Sequence, residues 1–137
     1  TAESSTAQFR FDSAKLLLGT VGAILEGEIR RELGDAAVAI ASFERAVSIE
    51  DQLAYSEPEP LPFGARHWLG AALLEAGRFA DAERVYREEL DDHPHNGWSL
   101  FGLKAALSGQ GRSSSEVNAD FDASWARADT WIRASRF

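Results

Sequence analysis

The residues that could carry chemistry in this chain fall in two short stretches. Residues 91–95 place two aspartates and two histidines around a proline, and carboxylate and imidazole groups are common ligands of divalent metals. The same groups are typical of a solvated helix end, where a protonated His93 would favour the negative pole of the helix dipole. We therefore assign no metal and no other cofactor to this stretch.

Three consecutive serines at 113–115 are the second candidate, as a nucleophile or a phosphorylation site. Ser113 is followed three residues later by Glu116, which is the spacing of a capping box at a helix start. Capping accounts for these serines without catalysis. The chain has no Cys, which excludes thiolate nucleophiles, thiolate metal sites and disulfides. We predict that the chain is not an enzyme.

The elements around these stretches have the apolar periodicity of helices. Intervals of three and four predict helices at about 13–33, 35–51, 63–76 and 79–93, and another from residue 96 or 97. A last helix is predicted from the i, i+4 series Val117, Phe121, Trp125, Ala128 and Ile132. Prolines at 58, 60 and 62 predict a loop. Residues 1–12 are either a polar lead-in or the end of a preceding repeat.

Residues 69–96 contain the clearest motif of the chain. The residues that carry it are Leu69, Gly70, Ala82, Tyr86 and Pro94. Their spacing resembles the tetratricopeptide repeat (TPR) family, with Arg66 and Leu73 where Trp and Tyr are usual. Gly77 and Gly111 are 111 − 77 = 34 residues apart, which is the length of that repeat. Gly34 precedes Gly77 by 77 − 34 = 43 residues, so the first interval contains nine extra residues in the proline-rich segment.

The resemblance implies a single domain over residues 1–137. Its fold would be all-α, an α-solenoid of about three antiparallel helix pairs in a TPR-like superhelix that ends in a capping helix. Repeat 1 would cover about 13–51, the proline-rich insertion 52–62, repeat 2 about 63–96, and repeat 3 with the capping helix about 97–133. We expect these to be the C-terminal repeats of a longer TPR protein, because the chain contains no Met at position 1 or elsewhere.

Two predicted helices carry more than one apolar pattern. In the first helix, the stripe Leu18, Gly22, Leu25, Ile29 and Leu33 conflicts with the TPR register. That register would place Glu26 and Arg30 in the core. In the helix after Asn96, the leucines at 100, 103 and 107 point nearly opposite to Trp98, Phe101 and Ala105, so this helix needs two partners.

In TPR proteins the leading helices line a concave groove that receives a peptide or a partner helix. The resemblance places nine residues of this chain on that face: Ile24, Glu28, Arg31, His67, Ala71, Leu74, Trp98, Phe101 and Ala105. Trp98 and Phe101 would be anchors for an apolar ligand, or else packed residues. The implied function is a scaffold that binds a protein or peptide partner. The alternatives are a structural or self-associating module that forms a homodimer, and a role set by another domain of a longer parent.

The charge balance narrows the range of partners. The 22 acidic and 14 basic side chains give a formal net charge of −8. An acidic surface repels phosphate, so nucleic acid and anionic membranes are not expected partners. No apolar run has the length of a bilayer span, and no signal peptide opens the sequence. We expect a cytoplasmic protein.

Overall fold

The computed structural model describes residues 8–9, 12–54 and 57–136, and within them the chain is all-α apart from one pair of two-residue strands. Strands β1 (Gln8–Phe9) and β2 (Asp12–Ser13) are antiparallel. The helices are α1 (Ala14–Glu32), α2 (Ala36–Glu50), α3 (Ala65–Glu75), α4 (Phe79–Asp92), α5 (Gly97–Gly109) and α6 (Ser115–Trp125). The all-α prediction is confirmed for these residues. The predicted lead-in lies outside them, except for residues 8, 9 and 12.

Three glycines end helices in the same way. Gly34, Gly77 and Gly111 follow α1, α3 and α5 with φ values of 78°, 70° and 68°, a left-handed conformation that glycine adopts without a Cβ penalty. The residue after each glycine donates its amide N–H to a carbonyl four residues before that glycine. These bonds join Asp35 to Arg30 at 2.9 Å, Arg78 to Leu73 at 2.9 Å and Arg112 to Leu107 at 3.0 Å. This is the Schellman ending of a helix, and it confirms the three predicted helix ends.

The chain divides into two units, Thr1–Ala65 and Arg66–Phe137. In the first unit, α1 packs on α2. Gly27 lies against the ring of Phe43, and a Cβ on Gly27 would overlap that ring. Thr20, Ala23 and Gly27 form the buried face of α1. A small residue at 27 therefore allows the two helices to approach closely.

The apolar stripe of α1 lies on the opposite face and is exposed. Its four large side chains have exposed fractions of 58% (Leu18), 60% (Leu25), 52% (Ile29) and 72% (Leu33), and Val21, which we now include in the stripe, is 48% exposed. The TPR register also fails in part, because Arg30 is exposed and Glu26 pairs with Arg45 at the surface. Side-chain size explains the choice of face, since Phe43 needs the space over Gly27.

In the second unit, Tyr86 of α4 fills the space between two glycines. It contacts Gly70 of α3 and Gly102 of α5, and a Cβ at either glycine would overlap its ring. The three leucines of α5 are each 3% exposed, and α5 packs on α4 and on α6. None of the helices in the described ranges is both long and apolar enough to cross a membrane.

The last helix differs from its prediction. It ends at Trp125, although the apolar series continues to Ile132. The Trp125 indole N–H donates to the carbonyl of Thr130 at 3.0 Å, so the chain folds back after the helix. The capping-box prediction is also wrong, because Ser114 is the N-cap residue and makes no side-chain capping bond. Ser113 instead accepts from the amide of Ser115 at 3.4 Å, which satisfies that donor locally.

Candidate functional site

Three of the nine predicted ligand-binding residues lie on α1. Ile24 is partly buried and packs against Ala23, Ala46 and Ala65. Glu28 and Arg31 form an ion pair of 3.2 Å one turn apart. All three lie between the buried face of α1 and its exposed stripe, since each is of intermediate exposure.

The other six lie on α3 and α5. On α3, His67 and Ala71 are buried and Leu74 is half-buried. On α5, the half-buried residues are Trp98, Phe101 and Ala105. The ring of Trp98 packs edge-on against Trp125 of α6, with 5.8 Å between centroids. Phe101 packs against Phe121 of α6 at 6.0 Å. Helix α6 therefore covers the two aromatic rings that the sequence offered as anchors.

A buried polar cluster surrounds His67 and was not anticipated as a group. Six residues form this His67 cluster: His67, Tyr86, Glu89, His93, Asn96 and Ser135. His67, Tyr86 and Ser135 are at most 1% exposed. The repeat spacing contained the signal: 43 residues before His67 and Glu89 stand Ile24 and Ala46. Two positions that are apolar in the first helix pair are ionisable in the second.

The ring of His67 is held on both sides. Its Nδ1–H donates to the carbonyl of Ser135 at 2.9 Å. Its Nε2 lies 3.2 Å from the Asn96 side-chain nitrogen and 3.5 Å from a carboxylate oxygen of Glu89. The Asn96 side-chain oxygen already accepts from the amide of Trp98 at 3.0 Å, which caps α5 and turns the NH2 group towards His67. A neutral imidazole thus accepts from Asn96, and a protonated imidazole pairs with Glu89.

Glu89 is the carboxylate of this cluster. Burial by itself raises the pKa of Glu89, but the hydrogen bonds and charges of His67 and His93 outweigh burial and hold that pKa below its ordinary value. His93 contributes a hydrogen bond of 2.9 Å from the next turn of the chain. The carboxylate therefore stays ionised although it is buried.

The C-terminal segment completes the cluster. The hydroxyl of Ser135 is hydrogen-bonded to the Tyr86 hydroxyl and donates to the main-chain carbonyl of His67 at 3.4 Å. Burial raises the pKa of Tyr86, so its phenol stays protonated. The next residue, Arg136, pairs with Glu75 of α3 at 3.3 Å.

In this cluster the His67 ring is not placed as a base for the Ser135 hydroxyl. The Ser135 hydroxyl is directed at Tyr86 and at a carbonyl, and the His67 ring bonds to the Ser135 carbonyl rather than to the hydroxyl. A nucleophile needs its base within hydrogen-bond reach. Among the described residues no group of three or more His, Cys, Asp or Glu side chains is arranged to hold a metal ion. Asp91, Asp92 and His95 are exposed.

The stripe on α1 is a second candidate surface of a different kind. Five large apolar side chains, each about half exposed or more, follow one face of the helix from Leu18 to Leu33. Exposed apolar patches of this kind mark protein interaction surfaces.

Comparisons with protein-family models, curated proteins and solved structures found no match to the chain.

Proposed function

We propose that the chain is a TPR-like helical-repeat module that binds an amphipathic helix of a partner protein. The repeat is supported by one contact that recurs in both units. Gly27 receives Phe43, which lies 16 residues later, and Gly70 receives Tyr86, also 16 residues later. The first helix of each pair is followed by a left-handed glycine, Gly34 after α1 and Gly77 after α3. Repeated pairs of this kind stack to bury their apolar faces.

The observation that carries the proposal is the open face of α1. Leu25 and Ile29 are 60% and 52% exposed at the centre of the stripe. The repeat relates Gly34 to Gly111, an offset of 111 − 34 = 77 residues, and thereby relates Leu25 to Gly102 and Ile29 to Ala106. On α5 this face is buried, and Gly102 lies against Tyr86 of α4.

The equivalence defines the occupant that α1 would accept. A helix that plays the part of α4 would lie along the stripe and cover about four turns of α1. Because Leu25 stands where α5 has Gly102, the occupant needs a small residue opposite Leu25 and apolar residues at three- and four-residue spacing on either side. The residues Ile24, Glu28 and Arg31, beside the stripe, would contact its edge.

A library of displayed peptides of about 20 residues with helical patterning tests the proposal. Selection on the unmodified chain should enrich peptides with that pattern. The double variant Leu25→Glu/Ile29→Glu should bind them about tenfold or more weakly, because it places two charges in the apolar contact. The matched control is Ala37→Glu/Ala41→Glu, which adds the same charge at exposed positions of α2.

Either of two results would contradict the proposal. The library could yield no binder, or the binders could attach equally well to the Leu25→Glu/Ile29→Glu chain. Self-association is distinguished by mass. A molecular mass that doubles with concentration, and returns to one chain in the stripe variant, would assign the stripe to a second copy of this chain.

A further inference from the structure

The segment that follows α6 lies against the second unit without regular structure. Residues 126–136 form neither helix nor strand. Trp131 is 94% exposed, whereas Ser135 is 1% exposed. The attachment of this segment is therefore concentrated near its end, as in a short peptide held by a few side chains.

The groups that contact this segment bind a main-chain carbonyl, a hydroxyl and a guanidinium, which other peptides also carry. The His67 imidazole donates a hydrogen bond of 2.9 Å to the main-chain carbonyl of Ser135. The Ser135 hydroxyl is hydrogen-bonded to the Tyr86 hydroxyl and to the main-chain carbonyl of His67. Glu75 forms an ion pair with the following residue, Arg136, at 3.3 Å. Together these groups contact a serine and the arginine that follows it.

The polar character of the site is specific to the second helix pair. In the first pair the equivalent residues, Ile24 and Ala46, pack as an apolar contact. Replacing a buried ion pair by apolar residues of similar volume is often neutral or stabilising, so packing energy by itself does not account for this pair. Glu89 and Asn96 hold the His67 ring at 3.5 and 3.2 Å and so fix the direction of its Nδ1–H.

We propose that His67, Tyr86 and Glu75 form a recognition site for an extended peptide in which serine is followed by arginine, and that residues 131–136 occupy it as an intramolecular ligand. The site is separate from the stripe on α1, and the proposal does not depend on the function assigned to that stripe. A partner segment with the same residue pair binds only when the chain's own segment leaves.

The tether sets how strongly the segment competes. A short covalent link gives a bound segment an effective concentration in the millimolar range. A free peptide therefore binds the unmodified chain weakly, and it binds a chain whose own segment is displaced much more tightly. This difference in affinity is the quantity to measure.

The probe is a fluorescent peptide with the sequence of residues 131–137, and the protein is the full chain carrying Ser135→Asp. A carboxylate at this 1% exposed position should displace the segment, because it would be buried against the main-chain carbonyl oxygen of His67. Fluorescence anisotropy should show binding about tenfold or more tighter than to the unmodified chain. The control is Ser115→Asp, the same change at an exposed serine, which should bind like the unmodified chain.

Specificity is tested in the peptide. Peptides with Ser135→Val or with Arg136→Glu should each bind about tenfold more weakly, since each loses one of the two readout contacts. If Ser135→Asp prevents folding, the full chain with Arg136→Glu serves instead, because that change weakens the segment at Glu75. The proposal is overturned if a folded displaced-segment chain does not bind the peptide at millimolar concentration, or if the Ser135→Val peptide binds equally well.

Discussion

The two helix pairs α1–α2 and α3–α4 share their packing and differ in what they bury beside it. Each pair brings a glycine of its first helix against an aromatic ring of its second, Phe43 in one case and Tyr86 in the other. Where the first pair buries Ala46 beside Ile24, the second buries Glu89 beside His67. The shared contact brings two helices together in each unit, and the differing residues make the buried surroundings apolar in the first unit and polar in the second.

This difference follows from elementary energetics. A small residue under a ring fixes the distance between helices in any such pair, whatever surrounds it. A buried carboxylate is tolerated only where hydrogen bonds and positive charge reach it, and His67 and His93 supply both to Glu89. The second pair therefore holds Ser135 by hydrogen bonds, whereas the first pair packs Ile24 against Ala46.

The largest effect is expected when a carboxylate is placed in the pair α1–α2, which lacks the histidines that contact Glu89. Ala46→Glu would bury a carboxylate at a position that is 0% exposed and has Ile24 in place of a histidine. We expect a loss of about 4 kcal/mol in the free energy of unfolding, because a buried charge would have no compensating partner. Urea unfolding measures it. A loss of less than about 1 kcal/mol would show that the two pairs are more alike than their packing indicates.

The second test removes what the pairs share. Gly27→Leu and Gly70→Leu each force a side chain into an aromatic ring and should each cost about 3 kcal/mol, measured as the free energy of thermal unfolding. Gly22→Leu is the matched control on α1, since a Cβ at Gly22 meets nothing within 4 Å. If only one of the two glycine variants is destabilised, the shared contact does not have the same role in both units.

The shared features are the ones that sequence could predict. Periodicity and glycine placement gave helix ends within about two residues for α1 to α4. They depend on local rules, because a left-handed residue must follow a helix and apolar spacing must match its turn. The prediction for α6 extended too far, because the series to Ile132 is compatible with a helix but the fold-back at Thr130 depends on a tertiary bond from Trp125.

The His67 cluster could not be derived from periodicity. His67 was expected on a ligand face, but its partners Glu89 and Ser135 are 22 and 68 residues away in sequence. Only the pairing of α3 with α4 and the return of the C-terminal segment bring them together. The sequence also could not show whether the α1 stripe is buried or exposed, because an amphipathic pattern identifies an apolar face and does not say whether another element covers it.

Acid should destabilise the helix pair α3–α4 through Glu89, and the pair α1–α2 has no carboxylate at the equivalent position, Ala46. The pKa of Glu89 is lowered in the folded chain, so the unfolded chain binds its proton first as pH falls. The stability that Glu89 contributes is thus complete above its ordinary pKa and is lost as pH falls through the lower, folded pKa. Urea unfolding between about pH 6 and pH 3 should show this loss in the unmodified chain. Glu89→Gln should show less of it, and equal slopes for the two chains would contradict the assignment.

The smallest expected effect distinguishes the two faces of α1. Gly22→Ala should stabilise the chain by about 0.5 to 1 kcal/mol, because alanine loses less backbone entropy than glycine in a helix. The added methyl lies on the exposed face, where a Cβ meets nothing within 4 Å. Gly27→Ala on the opposite face should instead destabilise, because its Cβ overlaps the Phe43 ring. Thermal unfolding of both variants gives the sign. A destabilised Gly22→Ala chain would mean that the face of α1 carrying Leu25 and Ile29 is already in close contact with another segment, and it would remove the open surface on which the partner helix is proposed to bind.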